Sequence, residues 1–303
     1  MLLLYGYFFN LFLGKLFAKL FLEKAETASP RLPDKSKFET NTRKCKTHME
    51  NMKRLLSYTR RGIDDYNMIE EGDKIAVGVS AGKDSLTLLC AMAALRRFYP
   101  KKFELIAITI DMGFEGGMDF EPIKKLCEEL DVPYYIIPTE IYKIIFEVRK
   151  EKNPCSLCAK MRRGALHTAA KELGCTSVAL GHHFDDVVET FMLNLFYEGR
   201  LGCFSPVTYL SRVGIKLIRP MIYMPEKEVK EFVKKNPMPV ISSPCPADKA
   251  TEREEMKQLL HTLERENKGL RYRIFGALCR GEIDGFAEKS RMQGTKAYDE
   301  IEE

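Results

Sequence analysis

Hydrophobic and polar positions along the chain alternate between segments with a helical period and short apolar runs typical of buried strands. From Met52, apolar residues recur on one helical stripe through Leu55 and Ile63, with charged residues on the opposite side. Residues 74–80 then form a short run rich in β-branched residues, which predicts a buried strand. Residues 85–95 are apolar nearly all round, which predicts a buried helix.

The same alternation continues and fixes the fold class. The further predicted elements are a strand at 103–110, a helix at 121–130, a strand at 133–138, a helix at 156–173, a strand at 176–182 and a helix at 185–197. Strands that alternate with helices of this length form right-handed βαβ units. We therefore predict an α/β, Rossmann-like parallel sheet with helices on both faces. Ligands of such sheets bind beyond the carboxyl ends of the strands.

Composition narrows the class of protein only slightly. The 303 residues, 45% hydrophobic and 30% charged, suffice for one large α/β domain. The net charge of +5 permits a nucleic-acid partner without indicating one. Nine cysteines without disulfide-like spacing indicate a reducing compartment, so we predict a cytoplasmic protein.

The two ends of the chain lack this patterning. The apolar segment at the start of the chain is too short and too interrupted to span a membrane. It also lacks the preceding basic segment that a signal peptide has. We predict that residues 1–48 are an N-terminal extension outside the fold, with a membrane anchor as the alternative. Residues 49–286 are the predicted functional domain, and residues 287–303 a flexible tail.

The turn after the first predicted strand reads SAGKDS, residues 80–85. It fails the P-loop pattern, because the preceding Gly78 is one residue too close to Gly82 and Asp84 replaces the magnesium-binding hydroxyl. Its small residues nevertheless let backbone N–H groups approach an anion at the start of a helix. A plain strand–helix turn capped by Ser80 or Asp84 is the alternative.

A second motif, GHHFDDVVET at residues 181–190, also follows a predicted strand. Carboxylates that face a phosphate-binding loop favour Mg²⁺, a hard cation that ATP carries. The structural alternative is a helix cap in which Asp186 pairs with Glu189. Its place at a carboxyl end favours the functional interpretation.

Three cysteines form the third constellation. Cys155 and Cys158 make a C-x-x-C at a helix start, and Cys245 lies in a proline-rich loop. A zinc ribbon would need a second pair, and a redox pair would not need Cys245. Three thiolates from two loops suit a [4Fe–4S] cluster with one open iron, although spacing alone also allows three unrelated cysteines. The cysteines with apolar neighbours are predicted core residues: Cys90, Cys127, Cys175 and Cys279.

Several of these motifs together resemble one family. SAGKDS resembles the SGGxDS signature of the PP-loop ATP pyrophosphatases, and GHHFDDVVET resembles the GHxxDDxxET of their tRNA-modifying branch. With PCSLCAKMRRG and LIRPMIYMPEKEV in the same order, residues 50–286 resemble the TtcA family of tRNA 2-thiocytidine biosynthesis proteins. Two departures stand out. Ala81 replaces the first family glycine, and its methyl group fits if φ stays negative. Cys245 stands where other members have a second C-x-x-C.

The resemblance implies an ATP-dependent tRNA sulfurtransferase that adenylates a cytidine, expected at position 32, and replaces its 2-oxygen by sulfur. The implied cofactors are ATP, Mg²⁺ and a [4Fe–4S] cluster on Cys155, Cys158 and Cys245. Asp84 and Asp186 are the implied catalytic residues, and Arg162 and Arg163 the implied tRNA-binding ones. The implied ATP contacts are Val79, Ser80, Ala81, Gly82, Lys83, Asp84, Ser85, Ile110, Gly181 and Asp186.

The expected partners are tRNA and a cysteine desulfurase as sulfur source. A homodimer is compatible with the chain, and no membrane partner is expected for the core. Two alternatives remain at this point. One is another PP-loop tRNA modifier, a 2-thiouridine or lysidine synthetase. The other is an RNA adaptor that binds ATP and zinc without catalysis.

Overall fold

A six-stranded sheet with the order β3-β2-β1-β4-β6-β5 forms the centre of the protein. The computed structural model describes residues 52–149, 154–242, 244–245 and 252–287. The strands are β1 (Asp73–Gly78), β2 (Phe103–Asp111), β3 (Tyr134–Pro138), β4 (Ser177–Ala179), β5 (Val207–Leu210) and β6 (Ile215–Ile218). All neighbours are parallel except β5, which runs antiparallel to β6 at one edge. The α/β prediction is confirmed, with an added edge hairpin that the periodicity did not mark.

Helices follow most of the parallel strands, as the βαβ pattern requires. They are α1 (Met52–Asp65), α2 (Lys83–Leu95), α3 (Glu121–Glu129), α4 (Pro154–Glu172), α5 (Phe184–Tyr197), α6 (Glu226–Lys235), α7 (Glu252–Glu266) and α8 (Leu270–Arg280). A π-helical turn at Lys143–Val148 precedes α4, and a 3₁₀ turn at Ile283–Gly285 follows α8.

The sheet is buried on both faces. On one face, α2 is buried almost all round because it lies between the sheet and the helices α1 and α6. On the other face, Leu166 and Ala170 of α4 pack against Ile106 and Val178 of the strands. Burial on both faces explains why the strands read as continuous apolar runs rather than as alternating ones.

A third apolar cluster joins the C-terminal helices to α5. Phe184 at the start of α5 packs against Phe275 of α8, with ring centroids 5.0 Å apart. Met256 and Leu260 of α7 belong to the same cluster. This packing brings the side chains of α7 and α8 beside the start of α5, where the second motif lies.

Two strand ends differ from the prediction, and both differences lengthen the loops at the carboxyl edge. Strand β1 ends at Gly78 rather than at residue 80, and β4 ends at Ala179 rather than at residue 182. Residues 1–51 and 288–303 lie outside the described residues, so the predictions for the extension and the tail stay predictions. Within the described ranges, no helix combines the length and apolar character needed to cross a membrane.

Candidate active site at the carboxyl edge of the sheet

The loop between β1 and α2 is closed by Ser85. The Ser80 N–H donates to Ser85 Oγ at 3.1 Å, and the Ser85 hydroxyl donates to the Gly82 carbonyl at 2.9 Å. Gly82 is the N-cap of α2 and no side chain caps it, so the alternative of a turn capped by Ser80 or Asp84 is wrong. The first-turn N–H groups of α2 have no intrahelical acceptor and form a place for an anion.

Val79 anchors this loop to the neighbouring strand. Its N–H donates to the Ile108 carbonyl at 2.8 Å, and its carbonyl accepts the Thr109 hydroxyl at 2.9 Å. The side chain is only 3% exposed. Val79 therefore fixes the start of the loop, and the loop residues after it hold the groups that can face a ligand.

Ala81 adopts the conformation for which the family signature has glycine. Its φ is +65°, not the negative value under which the methyl group was expected to fit. The left-handed conformation costs a residue with a Cβ roughly 1–2 kcal/mol. The methyl is 1% exposed in the main core, and the Ala81 carbonyl accepts the Ile241 N–H at 3.1 Å. Burial and this hydrogen bond offset the strain.

We expect Ala81→Gly to leave the free energy of unfolding nearly unchanged and to preserve or improve ATP affinity. The strain relieved, roughly 1–2 kcal/mol, is balanced by the lost methyl burial and by the greater entropy of an unfolded glycine. Ala81→Val is the contrasting variant, because a β-branched residue at positive φ should destabilise by about 2 kcal/mol or more. Urea unfolding and ATP titration measure both. A tenfold loss of ATP affinity in Ala81→Gly would contradict this account.

His183 lies between the two predicted catalytic carboxylates. Its Nε2 is 3.7 Å from Asp84 Oδ1, and its Nδ1 accepts the Asp186 N–H at 3.4 Å. His183 is the N-cap of α5, and Asp186 Oδ2 accepts the His183 N–H at 2.9 Å. The capping pair is thus His183 with Asp186, and the suggested pairing of Asp186 with Glu189 is wrong.

Gly181 brings the two motifs into direct contact. A Cβ at this position would lie 3.0 Å from the carbonyl carbon and oxygen of Asp84 and 3.1 Å from the Ser85 nitrogen. The expectation that residues 181–190 face the loop is therefore confirmed. The glycine is required by close packing against the backbone of α2, so any side chain here would push the two motifs apart.

Lys83 carries the mobile positive charge of the loop. Its Nζ is 2.9 Å from Asp84 Oδ1 and 3.1 Å from Glu226 Oε1. Burial alone would lower the pKa of Lys83, but the two carboxylates outweigh it and raise the pKa. For the carboxyl group of Glu226, burial acts in the opposite direction and would raise the pKa. The neighbouring Lys230, Lys257 and Lys83 outweigh burial and lower the pKa of Glu226 to about 2. Both groups are therefore charged at neutral pH.

Two arginines from the C-terminal helices contact the acidic motif. Arg253 of α7 lies 3.2 Å from Asp186 and donates to Thr190 at 2.9 Å. Arg271 of α8 lies 2.6 Å from Asp185. Glu189 is buried beside them, and burial together with the charge of Asp186 raises its pKa to about 7. The sequence gives no local signal for these arginines, which lie 67 and 86 residues from the carboxylates they bind.

Two of the three predicted cluster ligands lie at the start of α4, and the third, Cys245, is near enough to Cys158 to influence its ionisation. Cys155 is exposed in the first turn of α4, and Cys158 and Cys245 are half-buried. Burial raises the pKa of Cys158, Arg162 lowers it, and the nearby Cys245 and Cys155 raise it further. In the ranges that the structure describes, no three such side chains are close enough to form a ready metal site. The donor set still fits a metal centre, since three cysteine thiols are the ligands that soft metals and iron–sulfur clusters take.

A small apolar cluster near the carboxyl end of β2 contacts Cys158 of α4. Met112, Ile141 and Ile145 form its centre, and Ile110 and Cys158 both pack against it. Ile110, the residue expected beside adenine, therefore shares this apolar cluster with one predicted ligand, Cys158. Of the two arginines expected to bind tRNA, Arg162 lies beside Cys158, whereas the exposed Arg163 donates to the Ala159 carbonyl at 3.2 Å.

Comparisons with known proteins agree with this geometry. Residues 53–263 match the PP-loop domain family. A tRNA-cytidine(32) 2-sulfurtransferase of Geobacter metallireducens is 42% identical over 222 residues, covering 72% of this chain and 86% of that protein. The protein of the same name from Cellvibrio japonicus is 39% identical over 228 residues, or 75% of each chain.

A solved structure extends the likeness to the fold. The U34-tRNA thiolase NcsA from Methanococcus maripaludis, determined with its [4Fe–4S] cluster, superposes with a TM-score of 0.61 at 27% identity. The match covers 74% of this chain and 77% of NcsA. From the matched domain, the relatives' identity and the shared fold, we conclude that the chain belongs to the TtcA family of PP-loop proteins.

Proposed function

We propose that the protein is an ATP-dependent tRNA sulfurtransferase that replaces the 2-oxygen of a cytidine, at position 32, by sulfur. The observation that carries the proposal is the meeting of the anion-binding loop with the GHHFDDVVET motif at the carboxyl edge, where His183 lies between Asp84 and Asp186. Cys158 and Ile110 pack against one apolar cluster at the same edge. The names of relatives about 40% identical to the chain support the substrate.

The loop residues supply the activation of the base. A cytosine 2-oxygen leaves poorly, and its adenylation turns it into the oxygen of departing AMP. The first-turn N–H groups of α2 and the charge on Lys83 stabilise the pyrophosphate that leaves in this step. Asp84 and Asp186 offer the oxygen ligands that Mg²⁺ prefers. Arg253 contacts Asp186 at 3.2 Å and would compete with Mg²⁺ for this carboxylate.

The cysteines form the second half of the site. Cys155, Cys158 and Cys245 would hold a [4Fe–4S] cluster, which when bound supplies an iron that can carry hydrosulfide. Cys155 and Cys158 are three residues apart at the start of α4, so both sulfurs lie on one side of the helix. The buried side chains of Met112 and Ile145 would keep water from the side of the site where Cys158 and Ile110 pack.

The RNA must present its base in an unstacked form. A base within a stack cannot reach a buried nucleotide, whereas bases of a single-stranded anticodon loop can be splayed out. Arg162, beside Cys158, would hold a phosphate of that loop near the cysteines. A cysteine desulfurase would provide the sulfur, and the reaction would take place in the cytoplasm.

The direct test uses anaerobically purified full-length protein. It is incubated with ATP, Mg²⁺, sulfide and an unmodified tRNA transcript, and the digested nucleosides are identified by mass spectrometry. We expect 2-thiocytidine that depends on ATP. Formation of 2-thiouridine or lysidine would favour another PP-loop modifier, and a colourless, zinc-loaded protein without product would favour an adaptor.

A further inference from the structure

A cationic groove lies beside the acidic motif. It is a surface cavity of about 520 Å³ between the start of α5 and the helices α6, α7 and α8. Six lysine and arginine side chains line it, against three carboxylates. The motifs of the nucleotide and cysteine sites leave most of this surface without a role.

The carboxylates of the groove are already bound within the protein. Glu264 accepts the backbone N–H groups of Gly269 and Arg271 at 2.7 and 2.9 Å. Asp185 accepts the Glu226 N–H and the Arg271 guanidinium, each at 2.6 Å. Glu226 lies between Lys83, Lys230 and Lys257. Their negative charge is therefore balanced locally.

Three cations of the groove remain uncompensated. Lys227 of α6, Arg265 of α7 and Lys268 of the α7–α8 turn are exposed. In the described part of the chain, none of the three side chains has an ion-pair partner within 4.0 Å. Charges of one sign, held on separate elements around one open groove, attract an extended polyanion.

We propose that this groove binds backbone phosphates of the RNA substrate through Lys227, Arg265 and Lys268. The inference rests on the proposed function. A single small anion needs one enclosed contact set, whereas phosphates along a strand match charges spread over an open surface.

The position of the groove supports this occupant. One carboxylate oxygen, Glu226 Oε1, contacts Lys257 of the groove at 3.0 Å and Lys83 of the loop at 3.1 Å. A strand lying in the groove is therefore one side chain away from the place where its base is adenylated. Groove and loop thus meet at Glu226, so an RNA held in the groove would lie next to the loop.

The test neutralises the three unpaired cations together, as Lys227→Gln, Arg265→Gln and Lys268→Gln. Binding of an unmodified tRNA transcript is measured by fluorescence anisotropy at several KCl concentrations. Loss of three phosphate contacts should lower the slope of log affinity against log salt by about 2. Between 50 and 200 mM KCl the wild type should then lose about 16-fold more affinity than the variant. ATP affinity and Tm should stay unchanged, because all three residues are exposed.

The matched control makes the same charge change away from the groove, as Arg97→Gln, Lys102→Gln and Lys125→Gln, which are also exposed. It should bind tRNA like the wild type. Equal salt slopes in the groove variant and the wild type would overturn the proposal that the groove binds RNA. The proposed thiolation activity would be unaffected by that result. If the groove variant bound pyrophosphate more weakly but tRNA as well as the wild type does, the groove would be a site for a small anion, which would also overturn the proposal. A wild type that binds no tRNA would instead refute the proposed function.

Discussion

Changing Cys158 to alanine should remove most of the iron from anaerobically purified protein and all ATP-dependent thiolation. A cluster already missing one protein ligand cannot spare a second, so Cys155→Ala and Cys245→Ala should have the same effect. Iron and sulfide content, the visible absorption of the cluster and 2-thiocytidine formation measure the loss. ATP binding should survive in all three variants, because no cysteine lies in the loop between β1 and α2.

The matched controls are the four buried cysteines. Cys90, Cys127, Cys175 and Cys279 are all buried, which confirms their prediction as core residues. Their alanine variants should lose about 1–2 kcal/mol of stability while retaining iron and activity. If Cys245→Ala kept its iron, the third ligand would lie elsewhere. Cys155 and Cys158 would then be better explained as a redox or persulfide-relay pair.

Changing Asp84 or Asp186 to asparagine should lower the thiolation rate about a thousandfold while leaving iron content intact. An amide keeps the shape of the side chain but loses the charge that binds Mg²⁺, and such losses typically cost about 10²–10⁴-fold. Pyrophosphate release measured alongside iron separates the two sites. Asp119→Asn is a suitable control. Asp119 accepts the Glu121 N–H at 2.9 Å, and the side-chain oxygen of an asparagine can accept the same hydrogen bond.

The decisive outcome for this prediction is how the loss of iron compares with the loss of thiolation activity in each variant. Asp84 lies 3.7 Å from His183, which in turn caps α5 through Asp186, so both variants perturb one connected group. If either variant lost iron in proportion to activity, the cysteines and the carboxylates would form a single site, and the division proposed here would be wrong.

Local pattern was sufficient to predict the alternating strands and helices. Strand β1 and helix α2 lie within two residues of their predicted ends because burial on all sides leaves an uninterrupted apolar signature. The contact between the two motifs was predictable as well, since carboxyl ends of neighbouring parallel strands share one edge. Both strands of the edge hairpin, β5 and β6, were missed, because each has only four residues and therefore carries too little periodicity.

The partners of the acidic motif could not be predicted from the sequence. Arg253 and Arg271 reach it only because α7 and α8 pack on α5 through Phe275 and its neighbours. A capping interaction was expected, but histidine is an unusual N-cap, and the assignment to His183 required the backbone geometry. Both depend on tertiary contacts that no short stretch of sequence contains.

The left-handed residue at position 81 has a consequence for how such loops evolve. A glycine codon becomes an alanine codon by one nucleotide change, and the resulting strain is small beside a total stability of about 5–15 kcal/mol. Drift between the two residues is therefore tolerated wherever the methyl group finds a buried space, as it does here. A sequence signature that requires glycine at this position would miss such chains in genome surveys. A structural signature that requires only a positive φ at this position would find them.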